Sequence, residues 1–258
     1  MRQYYFLASA LAPLEMGKPP EFSFASVMFA CELNLSSEDW EQVSALRRYY
    51  DVENVRALLQ GTELDSHAMM DRKELEEAMR VSEELPSYFR TFFQKYPSDR
   101  ERLDHYGELV AAYFQQEGEK SEGFLHHYLA LQRQARLFFT ALRASRLGRD
   151  LSKELQWEDP NDEFVAQLLS RQELSRIEVP AGLEPLKRIW DEYEQRPLAF
   201  YLEVYRYTFE AVEKLLAVDL FSVERILGYI VQLIAVEKWL ELDKQKGLRY
   251  IDQKMKMS

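Results

Sequence analysis

The sequence predicts an all-α protein, and three observations support this fold class. Only nine glycines and nine prolines occur in 258 residues, whereas all-β folds need many tight turns. Apolar residues recur at helical spacing, and several segments begin and end with helix-capping residues. Short loops between long helices predict antiparallel neighbours. We expect one helical domain over residues 1–258, with a possible internal boundary near 148–162.

The first quarter of the chain contains two predicted helices and one predicted extended segment. Residues 36–50 (SSEDWEQVSALRRYY) predict a helix that is capped by Ser36 or Ser37. Residues 51–61 (DVENVRALLQG) predict a second, short helix that ends at its glycine. The stretch QYYFLASA, residues 3–10, has the pattern of an extended segment.

Capping residues place the helices of the middle of the chain. Asp71 is followed three residues later by Glu74, and Ser98 is followed in the same register by Glu101. In a capping box the two side chains satisfy two backbone N–H groups reciprocally. Pro86 predicts a bend or a break between these two starts, because proline cannot donate within a helix.

One long predicted helix covers residues 121–147 and ends at Gly148. It carries an unbroken apolar stripe, so we expect no interruption within it. The remainder of the chain, residues 183–252, predicts helices that are separated by breaks near Pro197 and Asp219.

Composition excludes several classes of protein. The net charge of −11 argues against general nucleic-acid binding, which needs a basic face. The single cysteine, Cys31, excludes an internal disulfide and a cysteine-rich zinc site, and it fits a reducing compartment. No apolar run is long enough to span a bilayer, and the apolar core of the N-terminus is too short for a signal peptide. We expect a cytoplasmic protein.

The sequence predicts no catalytic, cofactor-binding or metal site, so we expect a protein that is not an enzyme. A carboxylate-bridged di-iron bundle needs two Glu-x-x-His pairs, and the sequence has none. It also lacks a nucleophile elbow, a glycine-rich phosphate loop and a zinc-binding His-Glu-x-x-His helix. We expect the four histidines to be solvated or hydrogen-bonded; these are His67, His105, His126 and His127.

A basic stripe lies on the predicted helix 121–147 of this acidic chain. Arg136 and Arg143 are seven residues apart and share a helix face. Two interpretations remain open: a surface that faces a protein partner, or a charged face that is paired with acidic side chains of the same chain. The candidate interface residues are Arg133, Arg136, Arg143 and Arg146.

Glu237 continues an apolar ladder on the last helix. A carboxylate on a buried face requires a partner, because an unpaired buried charge is costly. Glu237 is therefore a candidate for a buried ion pair, unless the helix face turns toward solvent there. The ladder consists of Val223, Leu227, Ile230 and Ile234.

Several stretches resemble, in order, a family of bacterial proteins that are encoded with V-type (A/V-type) ATP synthases. Those proteins are themselves similar to the C subunit, which is called d in eukaryotes. The stretches are QYYFLASALAPL, KPPEFSF, LSSEDWEQVSALRRYYDVENVRALLQG, FLHHYLALQRQARLFFTALRASRLGRDL and FSVERILGYIVQLIAVEKWLELDKQKGLRYI.

The resemblance implies a non-catalytic central-stalk subunit that couples the rotor shaft to the membrane proteolipid ring in proton or sodium transport. It implies three related helical bundles in a funnel with a pseudo-threefold axis. Its partners would be the shaft subunit and the proteolipid ring, and its place the inner face of the cell membrane, held there by protein partners.

Two alternatives lie outside the ATPase interpretation. One is a solitary helical adaptor whose aromatic grooves bind partner helices. The other is a metal- or carboxylate-dependent enzyme whose site is assembled across helices.

Overall fold

A computed structural model describes residues 3–81, 85–170, 179–180, 182–216 and 219–255, with residues 244–255 described by their backbone alone. These residues form thirteen helices and no strand, so the all-α prediction is confirmed. The helices are α1 (Tyr5–Ala10), α2 (Phe24–Asn34), α3 (Ser37–Leu59), α4 (Arg72–Ala78), α5 (Ser87–Lys95), α6 (Asp99–Asp104), α7 (Tyr106–Lys120), α8 (Gly123–Arg146), α9 (Leu151–Glu154), α10 (Glu163–Ser170), α11 (Glu184–Tyr193), α12 (Pro197–Leu215) and α13 (Val223–Met255).

The chain divides into two compact units. The first consists of residues 1–40 and 178–258, and the second of residues 41–177. The segment 148–162, where an internal boundary was expected, lies within the second unit and contains α9. The three related bundles are not confirmed, and a single domain over the whole chain stays a prediction.

The core of the first unit is the N-terminal part of α13. Residues 226–236 are buried without interruption, so this helix has no solvent face over three turns. α12 packs closely on it: a Cβ on Gly228 would lie 2.6 Å from Cδ2 of Leu216, which only glycine avoids. The side-chain amide of Gln232 donates to the carbonyl of Phe209 at 3.2 Å and to Glu213 at 2.9 Å, which ties α13 to α12.

Aromatic side chains fill the interior of the second unit. The largest fully buried side chains there include Tyr88 and Phe89 from α5 and Tyr113 from α7. The rings of Tyr88 and Tyr113 meet edge to face, with 6.0 Å between their centroids. Edge-to-face pairs add a favourable quadrupole interaction to the burial of their surface. Phe124 and Phe138 of α8 are buried to the same degree.

A buried ion pair links three helices of the second unit. The guanidinium of Arg48 on α3 donates to both carboxylate oxygens of Glu117 on α7, from Nε at 2.9 Å and from a terminal nitrogen at 3.0 Å. The hydroxyl of Tyr88 on α5 donates to the same carboxylate at 2.9 Å. Only 3% of the Glu117 side chain is exposed. Burial and the neighbouring carboxylate hold the pKa of the Tyr88 hydroxyl far above its ordinary value.

The local capping signals are confirmed. Asp71 with Glu74 and Ser98 with Glu101 both form complete capping boxes. α8 runs without interruption through the predicted segment and ends before Gly148, whose φ of +62° is the left-handed conformation of a helix stop. The two hydrogen bonds after it are those of a Schellman motif.

Two local predictions are wrong. Residues 3–10 contain α1 rather than an extended segment. The two helices predicted over 36–61 are one helix, α3, because Asp51 does not cap a new start. Its Oδ1 instead accepts hydrogen bonds from the backbone N–H groups of Met69 and Met70, at 3.1 and 2.9 Å.

We expect Glu117→Ala to lower the free energy of unfolding by about 3 kcal/mol, because it removes the buried partner of Arg48 and leaves that charge only the exposed carboxylate of Glu41. Glu117→Gln keeps the shape and one acceptor for Arg48 and Tyr88, so its loss should be smaller. Urea midpoints of both variants and the wild type measure the difference. Equal and negligible losses would show that the pair does not stabilise the second unit.

We expect Asp51 to make stability depend on pH. Burial raises the pKa of its carboxyl to about 6, although the hydrogen bonds from Met70 and Met69 oppose the rise. The folded chain therefore binds this proton more tightly than the unfolded chain, and the contribution of Asp51 to stability falls as the pH rises from about 4 to about 6. Asp51→Asn should gain about 2 kcal/mol relative to the wild type between about pH 4.5 and about pH 7.

Urea titrations at those two pH values check this expectation. They require low protein concentration, because the sequence pI is about 5.1. A stability difference between Asp51→Asn and the wild type that does not change with pH would contradict it.

Candidate protein-interaction surface

Half of the basic stripe is paired within the second unit. Arg133 donates from Nε to Glu158 at 2.9 Å and from a terminal nitrogen to Asp162 at 3.0 Å. Arg136 binds the other carboxylate oxygen of Glu158, whose side chain is only 5% exposed. For these two arginines the structure shows the internal alternative, in which the stripe holds α8 to the segment after α9.

The other half of the stripe is exposed. Arg143 and Arg146 lie in the last turn of α8, next to the helix C-terminus that cations stabilise. That they face a protein partner stays a prediction.

A groove of about 420 Å³ lies between α7, α8 and residues 157–162. Arg133, Glu158 and Asp162 are part of its wall, and their charges are paired with one another. His126 also lines the groove, and its Nδ1 lies 3.0 Å from the carbonyl of Gly118. Arg133, Glu158 and Asp162 therefore hold α8 to the segment after α9.

The histidines are dispersed over the second unit. His67 is buried with its Nδ1 2.7 Å from Asp65, and the ring of His105 stacks on Tyr96 at 4.2 Å. Within the part of the chain that the structure describes, no group of three or more histidine, cysteine or acidic side chains could hold a metal ion.

The structure shows one contact of Glu237, and its pairing with an arginine stays a prediction. It is half-buried on α13, and its Oε1 accepts a hydrogen bond from the backbone N–H of Phe24 at 2.9 Å. Phe24 is the first residue of α2, whose N-terminal N–H groups have no partner within the helix. The carboxylate therefore anchors the start of α2 to α13, at the helix end where negative charge is favourable.

α2 is apolar on two opposite faces. Its inner face is buried and consists of Phe24, Val27, Met28 and Cys31. Burial raises the pKa of the Cys31 thiol to about 12. Its outer face is also apolar, yet Phe29 is 64% and Leu33 is 68% exposed. A surface helix normally places polar residues on its outer face, so this arrangement marks α2 as an unusual element.

α1 extends the exposed apolar area. It packs against α2, buries Leu7, and leaves Phe6 77% and Tyr5 58% exposed. The ring of Tyr5 lies 4.6 Å from that of Phe221, and the preceding Leu220 is 59% exposed. Large exposed apolar patches on soluble domains mark interaction sites. We call Phe6, Phe29, Leu33 and Leu220 the apolar surface of the first unit.

Sequence reasoning missed this surface, although a signal was present. The segment FASVMFACELN follows a capping serine, Ser23, and is apolar at almost every position. Such a segment predicts either a fully buried helix or a helix that is covered by another molecule.

We expect Arg136→Ala and Arg143→Ala to differ in their effect on stability. Arg136→Ala removes one of two cations from the buried carboxylate of Glu158 and should lower the free energy of unfolding by about 1–3 kcal/mol. Arg143→Ala is the matched control on the same helix face, and an exposed change should stay within about 0.5 kcal/mol. Urea midpoints measure both, and equal shifts would contradict the internal role of Arg136.

Comparison with known proteins identifies a family. The family model described as "Protein of unknown function (DUF2764)" matches residues 1–258. An uncharacterized protein of Chlamydia trachomatis is 26% identical over 256 residues, which cover 96% of each chain. An uncharacterized protein of Chlamydia muridarum is 25% identical over 98% of this chain and 97% of its own, and one of Chlamydia pneumoniae is 27% identical over 83% and 82%. No solved structure matches the chain.

The resemblance to V-type ATP synthase C subunits is wrong. The whole chain matches DUF2764, and the descriptions of that family and of the three relatives name no ATPase subunit. The stalk role, the rotor partners and the peripheral place on the membrane depended on that resemblance and lose their support. No described helix is long and apolar enough to cross a membrane. Since the family model covers every residue, the chain belongs to the DUF2764 family.

Proposed function

We propose that this protein is a helical adaptor without an active site of its own, and that its apolar surface binds a helix of a partner protein. The observation that carries the proposal is the outer face of α2, where Phe29 and Leu33 are more than half exposed on a helix whose inner face is already buried. Exposing such side chains to water is unfavourable, and burying each against a partner recovers about 1.5–3 kcal/mol.

The spacing of the outer face suits a helical partner. Ala25, Phe29 and Leu33 are four residues apart, so they form one ridge along α2. Ridges of this spacing pack into the grooves of another helix, and amphipathic partner helices use the same i, i+4 anchors. Phe6 on α1, which packs against α2, and Leu220 are further exposed apolar side chains of the first unit.

Site-specific crosslinking tests the proposal. Leu33 is replaced by a photoreactive leucine analogue, and the crosslinked protein and segment are identified by mass spectrometry. We expect a crosslink to a helical segment of one partner protein. The double variant Phe29→Gln and Leu33→Gln should reduce capture of that protein about tenfold, because it removes the two best exposed anchors without adding charge.

Tyr201→Gln is the matched control, because Tyr201 on α12 is 47% exposed and does not belong to the apolar surface. Capture by this variant should equal that of the wild type, and circular dichroism should show that all variants are folded. Capture that is the same for the double variant and the wild type would overturn the adaptor proposal.

A further inference from the structure

We infer that the partner helix is basic: an amphipathic helix whose apolar face is bordered by lysine and arginine. This inference rests on the proposed function and concerns the chemistry of the partner. It follows from the charges of the segment that carries α1 and α2.

The segment that carries α1 and α2 is acidic. Glu32 is exposed on α2 directly beside Leu33, Glu21 precedes the exposed Phe22, and Glu38 is exposed in the first turn of α3. None of these three glutamates forms an ion pair with a residue that the structure describes. Among residues 3–40 the one basic side chain is Lys18, and it lies 2.7 Å from Glu15.

This distribution of charge separates three possible occupants. A second copy of the chain would bring its own glutamates against these glutamates, and like charges across an interface are costly. An anionic membrane surface would be repelled in the same way. A helix with basic flanks gains from burial of its apolar face and from attraction to these glutamates.

Two synthetic peptides of equal length test the inference. Both form an amphipathic helix with one leucine face; the polar positions are lysine in one peptide and glutamate in the other. We expect the lysine peptide to bind the full chain at least tenfold more tightly, with an affinity that falls as salt is added. The triple variant Glu21→Gln, Glu32→Gln and Glu38→Gln should weaken that binding at least threefold and reduce its salt dependence.

A control excludes non-specific attraction to an acidic protein. The variant Glu63→Gln, Glu77→Gln and Glu210→Gln removes three exposed charges elsewhere, and it should bind the lysine peptide as the wild type does. Phe29→Gln with Leu33→Gln should abolish binding of the peptide.

Each other outcome overturns the inference. These outcomes are equal affinity for the two peptides, no binding of the lysine peptide, or equal losses in the two triple variants. A dimer in sedimentation that Leu33→Gln dissociates would identify a second copy as the occupant, and binding to phosphatidylserine vesicles that needs Phe29 would identify a membrane. The adaptor proposal fails separately, when crosslinking from position 33 captures no protein that depends on Phe29 and Leu33.

Discussion

The packing of the second unit depends on the buried ion pair between Arg48 and Glu117. Two charges that leave water cost several kcal/mol each unless their partners are placed well. Here Glu117 accepts three hydrogen bonds, and Arg48 also binds Glu41 at 2.7 Å. Because the donors come from α3 and α5 and the acceptor from α7, a shift of α3 or α7 would separate the two buried charges, and a shift of α5 would remove the hydrogen bond that Tyr88 donates. The ion pair therefore fixes the relative positions of these helices and of the aromatic rings that they carry.

The first unit combines two helices of similar composition with different surroundings. In α13, residues 226–236 are buried on all sides, and neighbouring helices cover them. α2 also carries apolar side chains on its inner and outer faces, but only its inner face is covered, and the carboxylate of Glu237 accepts a hydrogen bond from its first residue. The outer half is therefore presented on a firmly anchored helix. Preorganised surfaces of this kind lose less conformational freedom when they bind.

The features that the sequence predicts correctly are local, whereas the features that it does not predict depend on residues far apart in the chain. The capping boxes at Asp71 and Ser98 and the helix end at Gly148 depend on neighbours within a few residues. The residue types at these positions therefore predict the caps. Asp51 has the type of a capping residue, yet its bonds to residues almost twenty positions away keep α3 continuous. The pairing of Arg48 with Glu117 bridges 69 positions. The pattern of α2 showed that both faces are apolar, but which face remained uncovered depended on the packing of α13.

The lone thiol of the chain makes the attachment of α2 chemically visible. Cys31 is completely buried on the inner face, and its raised pKa keeps it protonated and unreactive at neutral pH. Alkylating reagents and cellular oxidants can reach it only when α2 lifts away from the unit. A partner that binds the outer face leaves the thiol protected, whereas one that extracts the helix exposes it. The rate of thiol modification therefore distinguishes docking onto α2 from removal of α2, with no label introduced.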